Sequence, residues 1–163
     1  MAGRYEAQAR GEREDILARG RRSADERMER LASVAQLDAR KLELSAKQEM
    51  LSKAYDRALE RLTGLPDDQY VALLAQLAAE ASSTGREEVI FSAKDRARYG
   101  KAAVTQANER LGDGHLTLST QTRPIRGGLI LSDGDVEVNC AFETLVRLLR
   151  GEMDREVVRV LFD

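Results

Sequence analysis

From Arg4 to Leu62 the chain contains no proline, and the last glycine in that span is Gly20. Proline removes a backbone donor and clashes with the preceding turn, and glycine is costly inside a helix. A long stretch without either can run as one unbroken helix. Ala, Leu, Glu, Lys, Arg and Gln dominate it, the residues that lose least on becoming helical. Of residues 1–62, 14 are basic and 12 acidic, with the two signs interspersed. A 59-residue helix over Arg4–Leu62 would reach roughly 90 Å at 1.5 Å per residue. The remaining residues would fold to a radius of gyration of only about 13 Å, so most of such a helix lies beyond its own domain. Helices this long and this polar call for a partner helix.

The apolar positions carry a period. Ala24, Met28, Leu31, Ala35, Ala39, Leu42, Ala46 and Met50 are spaced 4, 3, 4, 4, 3, 4, 4, a repeat of 11 residues, and Leu17 lies one repeat before Met28. A repeat of 11 predicts a right-handed supercoil with a partner. The Ala-rich stripe would let the two backbones lie close. The plainer alternative is a solvated single helix. Beyond Met50 another face takes over, with Leu51, Tyr55, Leu59 and Leu62 spaced to pack against a globular part.

The expected organisation is an arm over residues 1–62 and a domain over residues 63–163, with the net charge of −2 splitting as +2 and −4. Neither half has the basic excess of a nucleic-acid binder, and four Tyr and three Phe are few for base stacking. The single cysteine, Cys140, allows no internal disulfide and points to the cytosol. No apolar run approaches the ~20 residues of a membrane span. Any membrane association is therefore expected to be indirect.

Gly64-Leu65-Pro66 breaks the long helix, and Asp67 or Asp68 offers an N-cap for a second helix ending near Ser82. Residues 88–92 read as a buried strand. Residues 95–111 return to a helical pattern with a break near Gly100, and Leu116, Leu118 and Thr120 alternate as a strand does. Leu129-Ile130-Leu131 and Val136-Glu137-Val138 flank Ser132-Asp133-Gly134-Asp135, and the Asp133-Gly134 pair is a hairpin-turn signal. Gly127-Gly128 makes a tight entry to that hairpin. A last amphipathic helix is expected over residues 141–162, with most of its apolar face, from Phe142 through Leu149 and Val157 to Leu161, packed on the sheet as core. The class is α+β: a long N-terminal coiled-coil-forming helix, then a small mixed domain with a β-hairpin and a final amphipathic helix.

Chemistry is sparse. His115 is the only histidine and has no triad or metal motif around it. Cys140 stands near the start of the last helix without a reactive-cysteine signature. Asp133, Asp135 and Glu137 lack calcium-loop spacing. Gly100-Lys101 has Asp95 and Ala102 where a phosphate loop needs glycine and a hydroxyl residue. The reading is that the chain is not an enzyme and carries no catalytic, cofactor-binding or metal site.

The run Gly127-Gly128-Leu129-Ile130-Leu131-Ser132-Asp133-Gly134-Asp135-Val136-Glu137-Val138-Asn139 resembles the C-terminal hairpin of the E subunit of V-type and A-type ATPases. Phe142-Glu143, the Leu-rich helix and the closing Val160-Leu161-Phe162 are similar to that family too, as is a long charged helix before a small α+β domain. The resemblance covers the whole chain in organisation and residues 127–163 in detail. It implies a peripheral stalk, or stator, of a proton- or sodium-translocating rotary ATPase, cytoplasmic and peripheral to the membrane. It further implies pairing with a helical G- or H-type subunit in a right-handed coiled coil, and docking on a B-type head subunit, with Val160, Leu161 and Phe162 as candidate contacts. Without a partner, the isolated chain is expected either to form a homodimer or to fray along residues 1–50. Two alternatives stand beside it: a flagellar or type III export stator, and a small enzyme or binding module on a helical dimerisation arm.

Overall fold

The computed structural model describes residues 2–162. Helix α1 spans Ala2–Thr63, followed by α2 (Asp67–Ala81), β1 (Glu88–Phe91), α3 (Ala93–Asp95), a π turn (Arg96–Gly100) and α4 (Lys101–Leu111). Strands β2 (Thr117–Thr122), β3 (Gly128–Asp133) and β4 (Val136–Ala141) then lead into α5 (Phe142–Phe162). The chain divides into two compact units, Met1–Glu49 and Met50–Asp163. The first is helix alone, and every residue from Gly3 to Glu49 is exposed. Intrahelical pairs such as Glu43–Lys47 at 2.7 Å support it weakly, being open to solvent.

The second unit is α+β. Its sheet has the order β2-β1-β3-β4, with β1 parallel to β2 and antiparallel to β3. Val89, Phe91, Leu129 and Leu131 face one side and meet α2 and α4 there. The two helices present Leu74, Ala75 and Ala78, and Ala103, Val104 and Ala107, mostly small residues that permit close approach. Leu51 and Leu59 of α1 are buried in this unit, at 7% and 5% exposure, as their spacing predicts. On the opposite face of the sheet Ile90 pairs with Ile130. The connection after β2 is tied back to β1, with the Arg123 N–H donating to the Phe91 carbonyl at 3.0 Å.

Tyr70 joins three elements. Its ring lies 5.0 Å from that of Tyr99 and 5.8 Å, edge-on, from that of Phe142. Its hydroxyl donates to Asp95 Oδ2 at 2.7 Å. Burial and the neighbouring Asp95 carboxylate push the Tyr70 phenol far above its ordinary pKa.

Several local expectations shift. Pro66, not an aspartate, occupies the N-cap of α2. Asp67 instead accepts hydrogen bonds from Tyr99 Oη at 2.8 Å and Arg98 Nη2 at 2.8 Å, and these two hold its carboxyl below the usual range. The break near Gly100 is the π turn, where a Cβ would press on Leu118. Cys140 lies in β4 rather than at the helix start, and burial raises its thiol pKa. The hairpin loop is Gly134-Asp135, because Asp133 still pairs with Val136. Gly134 has φ +63° and no non-glycine residue among those described has positive φ, which is the signature of a type II′ loop rather than I′.

Candidate docking surfaces

The predicted seam lies on a helix face with nothing against it. Leu17, Ala24, Ala35, Ala39 and Ala46 are exposed, as are Met28, Leu31 and Leu42 at 70%, 64% and 73%. Met50, the last seam position, opens the second unit and is also exposed. On an α-helix of 100° per residue these positions fall within an arc of about 100°. These apolar side chains stand in water at a regular helical spacing.

The opposite face holds a set that the 11-residue count does not include. Ile16, Val34, Leu37 and Leu44 are exposed, and all fall in an arc of about 80° on the far side. The sequence signal for it is the heptad step from Leu37 to Leu44, overshadowed by the longer stripe.

At the hairpin, Gly127 and Gly128 are required by packing. A Cβ at Gly127 would lie 2.8 Å from the Phe142 ring and 2.8 Å from the Tyr70 hydroxyl. Gly128, at φ +83°, has the Cys140 carbonyl and the Phe142 N–H against it. These glycines let α5 start against the sheet, and Phe142 N–H closes the corner on the Gly127 carbonyl at 3.0 Å. Asp133 ends β3 and is exposed, as is Asp135. Glu137 pairs with Arg123 at 3.1 Å. His115 is exposed, and its backbone N–H donates to Gly85 O at 2.7 Å. Among the described residues no group of three His, Cys, Asp or Glu could hold a metal ion.

The expectation that α5 packs mostly as core is overturned. Only Phe142 of this helix is buried, and Leu145 and Val146 are partly buried at the core edge. The helix side of the sheet is already covered by α2 and α4. The α5 stripe faces residues 54–65 instead, where Tyr55, Ala58, Leu62, Val146, Leu149 and Met153 line an open cleft of about 520 Å³. Arg150 reaches across, donating to Ser52 Oγ at 3.1 Å and lying 5.4 Å over the Tyr55 ring. Of the three closing residues, Val160 is 84% exposed, Leu161 is 37% exposed and Phe162 is half-buried. Among the described residues no helix is long and apolar enough to cross a membrane.

The comparisons with known proteins point to one family. The sequence model of the ATP synthase (E/31 kDa) subunit family matches residues 1–162. The E subunit of a V-type ATP synthase from Acetivibrio thermocellus is 37% identical over 106 residues, which is 63% of this chain and 54% of that protein. The chain thus spans about half the length of that relative in the match. The E subunit of a V-type proton ATPase from Clostridium botulinum is 32% identical over 155 residues, covering 94% of this chain and 79% of the relative. Another from that species is 34% identical over 143 residues, 85% and 72% of the two chains. The export-stator and enzyme readings find no support among them. Because the match takes in the exposed helix as well as the sheet-bearing unit, the chain belongs to the ATP synthase (E/31 kDa) subunit family.

Proposed function

We propose that this chain is a peripheral-stalk subunit of a V/A-type rotary ATPase, holding the catalytic head against the torque of rotation. The observation that carries the reading is the family match over residues 1–162, arm included. The stalk's work is mechanical: no bond is made or broken by this chain, and it needs no cofactor. Its arm, residues 1–62, pairs with a helical G- or H-type subunit along Leu17, Ala24, Met28, Leu31, Ala35, Ala39, Leu42, Ala46 and Met50. The exposure of that stripe supports the pairing. Residues 63–163 dock on a B-type head subunit, with Val160-Leu161-Phe162 as candidate contacts and Gly127, Gly128, Asp133 and Gly134 shaping the hairpin. Membrane association is indirect, through other subunits on the cytoplasmic face. Isolated, the chain either pairs with itself or frays along residues 1–50.

Affinity capture of the tagged chain from its native cells, followed by mass spectrometry, tests this. Rotary ATPase head subunits and a small helical subunit are the expected companions. Capture of an export ATPase without them would replace the reading.

A further inference from the structure

The arm separates its charges around the helix. Within residues 25–49, Asp25, Asp38, Glu43 and Glu49 lie within about 70° of the middle of the seam arc, and no basic residue of that span does. The far arc, that of Val34, Leu37 and Leu44, has Arg27, Arg30, Arg40 and Lys41 within about 80° of its middle, with Glu26 the one acid among them. All of these side chains are exposed. The four basic residues form no ion pair among the described residues. Each face therefore carries an exposed apolar row, edged by acids on one side of the helix and by bases on the other. Set parallel and level, two copies of the arm fit seam to far face. Val34 of one copy falls between Leu31 and Ala35 of the next, Leu37 between Ala35 and Ala39, and Leu44 between Leu42 and Ala46. The small alanines leave room for the larger side chains, as holes do for knobs. In the same arrangement Lys41 stands about 4.5 Å along the axis from Asp38, and Arg40 the same from Glu43, each pair on one edge of the contact.

We infer that copies of the isolated chain associate through unlike faces, the seam of one on the far face of the next. The inference rests on the reading of the arm as a helix-pairing element and specifies how the chain pairs with itself when no helical subunit is present. Two seams face to face would bring together the acidic edges of both. Two far faces would be worse, because Arg30 and Lys41 lie near the middle of that arc and would meet their own copies. Only the unlike contact joins apolar row to apolar row and acid to base. Single exposed ion pairs contribute little, but the sign of a whole edge selects the partner and the orientation. A contact of unlike faces leaves one face open on each outer copy, so it does not close at two. On dilution the copies separate and the released arms fray.

The test uses the full chain, with association followed by light scattering and by sedimentation, one chain of each mixture carrying a fluorescent tag. The parent chain is expected to grow in average mass with concentration, past two copies. Met28→Asp spoils the seam and Leu37→Asp the far face, so each alone should stay monomeric. Their equal mixture should form a pair and stop there, because each supplies the face the other lacks. A second set keeps the apolar rows and the helix intact, as circular dichroism checks. Arg40→Glu with Lys41→Glu makes both faces acidic, and Asp38→Lys with Glu43→Lys makes both basic. Each double variant should associate about tenfold or more weakly than the parent, and the mixture of the two should regain most of that loss. The differences should shrink at about 1 M salt, where the Debye length is about 3 Å. Dimers of Leu37→Asp alone would mean seam on seam, and dimers of Met28→Asp alone far face on far face. Either result overturns the proposal. So does a parent chain that stays monomeric at every concentration, or a charge-variant mixture no stronger than its parts. None of these outcomes touches the recovery of ATPase subunits by affinity capture, so failure here is distinguishable from failure of the stalk reading.

Discussion

Glu87 is a carboxylate at 3% exposure beside a polar loop. Its Oε1 accepts from the Ser83 N–H at 2.7 Å and the Thr84 N–H at 2.8 Å, and Oε2 accepts from Ser82 Oγ at 2.7 Å. Burial by itself pushes this carboxyl up, but the hydrogen bonds outweigh it and hold the group well below the usual glutamate range. The stability it contributes is present above the unfolded-state pKa of about 4.3 and is lost as pH falls toward the depressed folded value. Glu87→Gln should therefore cost about 2–3 kcal/mol near neutral pH. The gap from the parent chain should narrow steadily below about pH 4.3. Urea melts at a series of pH values measure both, and a gap that widens on acidification would contradict the assignment. Gly134 makes a different case. A Cβ there meets nothing within 4 Å, so space is not the obstacle; its φ of +63° is. Gly134→Val should cost about 1–3 kcal/mol, read from thermal melting. Gly134→Asn should cost visibly less, because asparagine tolerates the left-handed region better. The sequence located this turn to within one residue. Ser132-Asp133-Gly134-Asp135 allows two loops, and the local Asp-Gly pair favours the wrong one. What decides is remote: the observed register sets Cys140 opposite Leu129, where both are buried.

At the level of elements, helix existence and type were legible wherever the period was strong, as in α1 and α2. The partner of an apolar face was not. Periodicity in α5 marks Leu149, Met153 and Val157 as one stripe, but only the tertiary arrangement shows that α2 and α4 already occupy the sheet. The same limit hid the bond between Tyr70 and Asp95, 25 residues apart. It also hid the role of Asp67, which looks like a cap in sequence and is used to hold Arg98 and Tyr99. In α1 the two exposed faces give a paired test of the seam. Met28→Asp, on the 11-residue stripe, would place an unpaired carboxylate in a desolvated contact, at a cost of several kcal/mol of pairing. Leu37→Asp, on the far face, should leave pairing with the helical subunit nearly intact. Co-expression with that subunit and light scattering of the purified pair compares them. If Leu37→Asp breaks the pair and Met28→Asp does not, the seam lies on the opposite face.

At the scale of the whole molecule, the division into Met1–Glu49 and Met50–Asp163 separates two kinds of stability. The second unit buries Leu74, Val89, Phe91 and Leu129 completely or nearly so, and it has the core of an independent fold. The first leaves every residue from Gly3 to Glu49 exposed. Helices in proteins draw most of their stability from packing, so residues 1–49 should fray without a partner. Hydrogen exchange on the isolated chain is expected to show fast exchange over residues 1–49 and slow exchange in β1, β3 and α2. Adding the helical subunit should protect residues 17–49 and leave the protection of β1 and β3 unchanged. The same division predicts where the head is held. A fragment of residues 50–163 should fold alone by circular dichroism and bind an isolated B-type head subunit, because only this unit presents a fixed surface of sheet, hairpin and cleft. A fragment of residues 1–49 should bind the helical subunit and not the head. Head binding by the arm fragment, with none by a demonstrably folded 50–163 fragment, would reverse the assignment of the two ends.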